Sequence, residues 1–188
     1  RYTCEEKGSN CAVKRFKDIK SADGDSDHSG IEFCLDNGIM SGTGDDTFSP
    51  DDTITRAQFA TMFYRLAGQP ESGEASKFTD LTQDWYKKPV AWAAANGILN
   101  GTGDTTFSPD DTVTREQIAA IFYRYAQAKG LDVSLDSGTS SALESYNDYS
   151  DISDYAKIPV AWCFDKNVMF IHSVNGYEYA IYPKVAPT

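Results

Sequence analysis

Asn37 to Arg65 reads NGIMSGTGDDTFSPDDTITRAQFATMFYR, and Asn96 to Arg124 reads NGILNGTGDTTFSPDDTVTREQIAAIFYR. Aligned without gaps, 21 of 29 positions are identical. Self-similarity at a spacing of 59 residues means that one supersecondary unit is used twice. Within it, Thr55 and Gln58, like Thr114 and Gln117, stand three apart as in a capping box. Each side chain can satisfy a backbone N–H that the first helical turn leaves without a partner. Ile54 can staple onto Phe59, and Val113 onto Ile118. Apolar residues then follow at 59, 62, 63 and 66, and at 118, 121, 122 and 125, which predicts two amphipathic helices. Gly68 with Pro70 ends the first and Gly130 the second.

Working outward, Pro89 fits the first turn of a preceding helix whose inner face carries Val90, Ala93 and Ala94 and whose left-handed end is Asn96-Gly97. Each unit is thus helix, loop, helix. The loop GTGDDTFSPDD is built from turn formers. No EF-hand register fits it, nor Asp23, Asp25 and Asp27, where the glycine and distal glutamate of such a loop are absent, so solvated turns are expected and no metal. Phe16-Lys17-Asp18-Ile19, Phe78-Thr79-Asp80-Leu81 and Tyr149-Ser150-Asp151-Ile152 open three repeats. The expected organisation is an appendage at 1–15, repeat 1 at 16–68, a linker at 69–76, repeat 2 at 77–130, a surface linker at 131–148 and a degenerate repeat 3 at 149–188. Asn167 takes the helix-ending position of repeat 3, and the alternation around Tyr177, Tyr179 and Ile181 suggests a short strand or hairpin. Thr188 falls where Thr55 and Thr114 stand, so the third repeat reads as incomplete, with its second helix missing.

Repeats that cannot bury their apolar faces alone stack into one body, and a single domain is expected for 188 residues. A net charge of −11 argues against nucleic acid and anionic membrane as partners. No apolar run approaches the length of a bilayer span, and Arg1 opens the chain without an initiator Met or a signal core, which reads as a mature or trimmed chain. His28 and His172, both in the divergent repeats, are expected on surface loops. With no nucleophile motif, phosphate loop or metal-ligand cluster, neither enzymatic activity nor a cofactor is expected. Arg56 and Arg115 are different. A cation at the first helical position faces the positive end of the helix dipole, so something negative should sit beside each: a neighbouring repeat's Asp80 or Asp151, or an anionic ligand.

The run F-x-D, W-Y, A-W-A, N-G-I, G-T-G-D-x-T-F-S-P-D-D-T and T-R-x-Q resembles the S-layer homology (SLH) family of bacterial surface proteins, over nearly all of the chain from Phe16 onward. The resemblance implies a mainly α, pseudo-threefold body of helix-loop-helix units whose first helices form a central three-helix bundle. It implies a non-enzymatic module that binds a secondary cell-wall polysaccharide, with a pyruvylated amino sugar, in grooves between repeats. Arg56 and Arg115 would then meet the carboxylate, Asp18, Asp80 and Asp151 would bind sugar hydroxyls, and Trp85, Tyr86 and Tyr155 would stack on the sugar. By the same resemblance Arg56 faces Asp80, Trp85 and Tyr86 in the best-equipped groove. Arg115 faces Asp151 and Tyr155, with Asp154 in place of the Trp, and Asp18 has neither an Arg nor a Trp-Tyr pair. Gln58 and Gln117 depart from the commoner T-R-A-E. Trp92 and Trp162 read equally as core or contact.

Four cysteines in an extracellular chain suggest disulfides, with three connectivities. Cys34, Ala93 and Cys163 are equivalent in the three first helices; if those helices surround one axis, Cys34–Cys163 and Cys4–Cys11 are the expected bonds. Two other functions stay open on the same scaffold: a self-assembling subunit of a surface filament or layer, as a homo-oligomer or with another surface protein, and an extracellular effector.

Overall fold

The computed structural model describes residues 11–20, 26–71, 76–136, 138–169, 172–174, 178–181 and 183–184. It is mainly α. Six helices follow one another among the described residues: α1 (Ser26–Asp36), α2 (Arg56–Leu66), α3 (Asp84–Ala95), α4 (Arg115–Ala128), the short α5 (Thr139–Leu143) and α6 (Lys157–Asp165). Strands β1 (His172–Val174) and β2 (Glu178–Ala180) pair antiparallel, Ser173 opposite Tyr179, as the alternation in repeat 3 suggested.

The capping boxes form as read. Thr55 accepts from the Gln58 N–H while Gln58 Oε1 accepts from the Thr55 N–H at 2.8 Å, and Thr114 with Gln117 repeats the pattern. Asn167 takes φ 54° after α6, the left-handed end that Gly97 supplies after α3 at 65°. Helix α3 differs from the reading. It starts at Asp84, five residues before Pro89, so the proline lies inside it. The early start is held by Tyr86, whose hydroxyl accepts from the N–H groups of Thr82 at 3.2 Å and Gln83 at 3.1 Å.

A central three-helix core is present, but its members are α2, α3 and α4, not the three first helices. Phe59 and Phe63 of α2 meet Phe122 and Tyr125 of α4 edge to face at 5.0–6.1 Å, a geometry aromatic quadrupoles favour. Tyr64 of α2 meets Trp92 of α3 at 5.7 Å, and Tyr123 of α4 meets Trp162 of α6 at 5.6 Å, so each second helix grips the first helix of the next repeat. The first helices therefore sit in separate apolar clusters: α1 with Cys11 and Val13, α3 in the central core, α6 with Leu143, Ile152 and Ile181. Trp92 and Trp162, 7% and 6% exposed, are core. The stretch 131–148 is also less of a surface linker than expected. It carries α5, whose Leu143 is buried, and its Val133 and Leu135 pack against the α6 cluster.

That arrangement overturns the Cys34–Cys163 bond. Both cysteines are free: the helices that carry them pack in different apolar clusters, and the Cys163 sulfur lies 3.8 Å from Ala119 O on α4. Cys11 is disulfide-bonded; Cys4 lies outside the described residues. His28, expected on a surface loop, is buried on α1 with its Nε2 3.3 Å from Cys11 Sγ. His172 is in β1.

In repeats 1 and 2 the aspartate of the F-x-D motif ties the long loop. Asp80 accepts from the N–H groups of Phe107 at 3.0 Å and Ser108 at 2.7 Å, and Asp18 does the same for Phe48 at 2.9 Å and Ser49 at 2.6 Å. Against Gly101, a Cβ would come within 2.4 Å of the Phe78 ring and 2.6 Å of Thr106 O, so the loop can lie on the ring only with glycine there.

Two outcomes follow. Burial pushes the Cys163 thiol up to about 12 and raises Cys34, which is only half-buried. A thiol reagent at mild alkaline pH should therefore modify Cys34 slowly in the native protein and Cys163 only after denaturation; mass spectrometry finding neither thiol in denatured, unreduced protein would contradict the free assignment. For Asp80, burial disfavours the carboxylate, but the Phe107 and Ser108 N–H groups and the Arg56 charge outweigh it and leave the pKa lowered. A depressed folded pKa gives stability present above the unfolded value near 3.9 and lost as pH falls through the folded one. Urea midpoints should drop below about pH 4, and Asp80→Asn should flatten that limb at a cost near pH 7 of about 1 kcal/mol, the carboxylate being well solvated.

Candidate functional site

Two grooves open at the repeat boundaries, with volumes of about 420 and 360 Å3. The first is lined by Ile39, Ser41 and Thr43 of the repeat 1 loop, by Gln58, Thr61, Met62 and Arg65 of α2, and by Trp85 from the start of α3. The second is lined by Asn100, Gly101 and Thr102, by Gln117, Ala120, Ile121 and Arg124 of α4, by Tyr155, and by Arg56. Shifting by 59 residues carries Ser41 to Asn100, Gln58 to Gln117, Thr61 to Ala120 and Arg65 to Arg124, so one groove is the other rebuilt.

The aromatic wall comes from the following repeat. Trp85 is 53% exposed and Tyr155 50%, each at the head of a first helix. Their neighbours settle the equivalence: Asp84 pairs with Lys87 at 2.7 Å, and Asp154 with Lys157 at 2.7 Å. Asp154 thus corresponds to Asp84, Tyr155 to Trp85, and the buried Ala156 to Tyr86. The expectation that Asp154 takes the place of the tryptophan is corrected: the second groove keeps an aromatic wall. Tyr86 itself is 1% exposed, packed in the core under Trp85 with ring centroids 4.8 Å apart.

Arg56 lies in the floor of the second groove, not opposite Trp85. Its guanidinium is buried 4.7 Å from the Phe107 ring centroid and donates from Nε to Phe107 O at 2.9 Å and from Nη2 to Asn100 O at 2.6 Å. The backbone joins in, Arg56 N–H donating to Asp111 O at 2.9 Å and Ala57 N–H to Pro109 O at 3.0 Å. Burial lowers the Arg56 pKa, opposed by the charges of Asp111 and Asp80. The negative partners expected at this helix end are therefore largely loop carbonyls of the next repeat. Arg115 follows the same pattern, donating from Nε to Ile181 O at 2.9 Å, while the Glu116 N–H donates to Pro183 O. Asp18 and Asp80 face their own loops, and Asp151 is exposed in the 3-10 turn Tyr149–Asp151.

Two residues escaped the sequence reading. Arg15 Nη2 donates to Ser41 O at 2.9 Å, the carbonyl equivalent to Asn100 O, with its guanidinium 4.5 Å from the Phe16 ring centroid. It stands in repeat 1 for the arginine that a preceding repeat would supply, and no motif marks it because it lies outside the aligned units. Glu116 replaces Ala57 and is 4% exposed; it accepts from Ser153 N–H at 2.9 Å, Tyr155 Oη–H at 3.3 Å and Lys184 Nζ at 2.6 Å. Its carboxyl stays below the usual range: burial pushes it up, and the Lys184 and Ser153 bonds outweigh that. The one signal for it was the alanine-to-glutamate change within otherwise matched T-R-x-Q motifs. No group of three or more His, Cys, Asp or Glu side chains suited to a metal is found among the described residues.

A model of the S-layer homology domain matches residues 15–60 and 77–119. The chain is similar to an endoglucanase of Bacillus sp. (strain KSM-635), 32% identical over 142 residues, 76% of this chain and 14% of that protein. It is similar to a cellulosome-anchoring protein of Acetivibrio thermocellus, 30% identical over 154 residues, 78% of this chain and 33% of that one. A surface-layer 125 kDa protein of Lysinibacillus sphaericus is 28% identical over 128 residues, 68% of this chain and 10% of its own length. The chain thus spans a third or less of each of these relatives.

If Arg56 is first a clamp between repeats, Arg56→Ala should destabilise the protein by about 2–4 kcal/mol with no ligand present, since two loop carbonyls lose their donor and the Phe107 face its cation. Arg115→Ala should also destabilise, since the Ile181 carbonyl loses its donor. Equal and negligible losses in chemical denaturation would contradict the clamp.

Proposed function

We propose, from the premise that this chain belongs to the S-layer homology family, that it is a non-enzymatic module that holds a protein at a bacterial cell wall by binding a secondary cell-wall polysaccharide. The observation that carries this reading is the repeated groove, with an exposed aromatic ring on one side and an arginine on the other: Trp85 with Arg65, Tyr155 with Arg124 and Arg56. Such rings offer an apolar face to a sugar, and guanidinium groups match a carboxylate. The volumes fall within the range of small-ligand clefts. Arg124 and Arg65, half-buried at the grooves, meet the ligand more directly than the buried Arg56, which with Asp80 shapes the second floor. Asp18 shapes the first floor in the same way, and Tyr86 backs Trp85. Arg115 and Asp151 belong to the boundary with repeat 3, which carries no described groove. Among the described residues no helix is long and apolar enough to cross a membrane; attachment through the wall glycan makes the location the cell surface.

Calorimetric titration of purified wall polysaccharide tests this. Trp85→Ala and Tyr155→Ala should each weaken binding about three- to tenfold at one class of site, the worth of one aromatic contact. No binding by the unmutated chain, together with concentration-dependent assembly in sedimentation, would overturn the reading in favour of a self-assembling subunit.

A further inference from the structure

The two grooves are built from one repeated unit, yet their aromatic walls are held differently. Trp85 stands half exposed against Tyr86. Tyr155, equally exposed over its ring, has its hydroxyl 3.3 Å from Glu116 Oε1. That carboxylate is in turn fixed from three directions: the backbone N–H of Ser153, the Ser153 hydroxyl at 3.1 Å, and Lys184 Nζ at 2.6 Å, with Lys184 also 2.6 Å from Ser153 Oγ. At the equivalent position repeat 1 has Ala57, which offers no such anchor.

We propose that Glu116 is a positioning residue which, tied by Lys184 and Ser153, locks Tyr155 as a preformed wall of the second groove, so that this groove discriminates between sugar faces more sharply than the first. Locking a ring before a ligand arrives removes the ordering cost of binding, and a buried carboxylate makes a stiff anchor because leaving it unpaired is costly. Lys184 follows the β1–β2 hairpin in the chain, so the third repeat reaches back to set the shape of a groove walled mainly by the second. The proposal about ring position stands on these bonds alone; its consequence for affinity rests on the polysaccharide reading.

The charged groups facing the Tyr155 hydroxyl are Glu116, Arg124 and Arg56. Burial first, then the Glu116 charge and bond, push the phenol up to about 12, against the two arginines. Ultraviolet titration of Glu116→Gln, with no ligand, should show the most resistant tyrosine falling by about one unit, since one close charge of that sign is gone; a titration identical to that of the parent protein would overturn the positioning role. Tyr155→Phe keeps the ring and removes the bond. In a Trp85→Ala background, which weakens the first groove and leaves the second as the tighter site, Glu116→Gln and Tyr155→Phe should each weaken binding of purified wall polysaccharide at that site about three- to tenfold, and together no more than either alone, because they break one link. Fully additive losses would overturn the link even if both variants bind poorly. Circular dichroism and a urea curve on Tyr155→Phe guard against unfolding. Should Trp85→Ala bind no polysaccharide while the parent protein does, the affinity consequence is overturned and the glycan reading stands; should neither bind while the phenol still shifts in Glu116→Gln, the lock stands and the glycan reading falls.

Discussion

The structure depends on where the first N–H groups of each second helix find acceptors. Helix α2 begins at a Thr that caps one of them, and the Arg56 and Ala57 N–H groups donate to Asp111 and Pro109 of the next repeat's loop. The guanidinium of Arg56 extends the same line of donors, reaching Phe107 O and Asn100 O. An arginine at the positive end of a helix dipole is unfavourable by itself. It becomes favourable because a ring of carbonyls is brought against it, and Asp80, which holds that loop by the Phe107 and Ser108 N–H groups, supplies charge nearby. The clamp fixes the position of one repeat relative to the next, and the aromatic contacts of Phe59, Phe63 and Tyr64 with Phe122, Tyr125 and Trp92 then fill the space between them.

The grooves are a consequence of that docking. A loop held away from its own second helix by Asp and Gly, and covered at one edge by the head of the next first helix, leaves a cleft that neither repeat could form alone. This is why Trp85 lines a groove whose other members come from repeat 1. The same logic accounts for Arg15. In repeat 1 the 3-10 turn Ala12–Arg15 puts a guanidinium on Ser41 O, the carbonyl equivalent to the Asn100 O that Arg56 reaches in repeat 2.

The repeat, the capping boxes, both second helices, the left-handed Asn167 and the terminal hairpin were all legible, because each rests on local chemistry that a few adjacent residues decide. What the sequence did not disclose is relational. Equivalence of Cys34, Ala93 and Cys163 does not say which helices share an axis; bulky rings at 59, 63, 122 and 125 place the second helices inside, and the cysteines stay apart. The third repeat has one residue fewer between its F-x-D aspartate and its helix proline, Asp151 to Pro159 against Asp80 to Pro89. Matching Tyr to Tyr across that gap hid the equivalence of Tyr155 to Trp85, which the Asp–Lys pairs expose. The site residues read from the motif came out divided between two grooves for a like reason: Arg56 looks forward to repeat 2, whereas Trp85 looks back to repeat 1.

A duplicated unit need not give duplicated sites, because each site is shared by two units and inherits the differences of both. Across the groove linings the paired positions are conservative, Met62 with Ile121 and Thr61 with Ala120. The larger differences lie one layer behind. Glu116 in place of Ala57 introduces a buried carboxylate, which must find donors, and those donors are Ser153, Tyr155 and Lys184. A carboxylate that is 4% exposed and bonded on several sides resists displacement, since moving it would leave charge unpaired in a poorly solvated place. The second groove therefore has a wall whose position is set by the energetics of burial, whereas among the described residues the first has one set by contact with the Tyr86 ring.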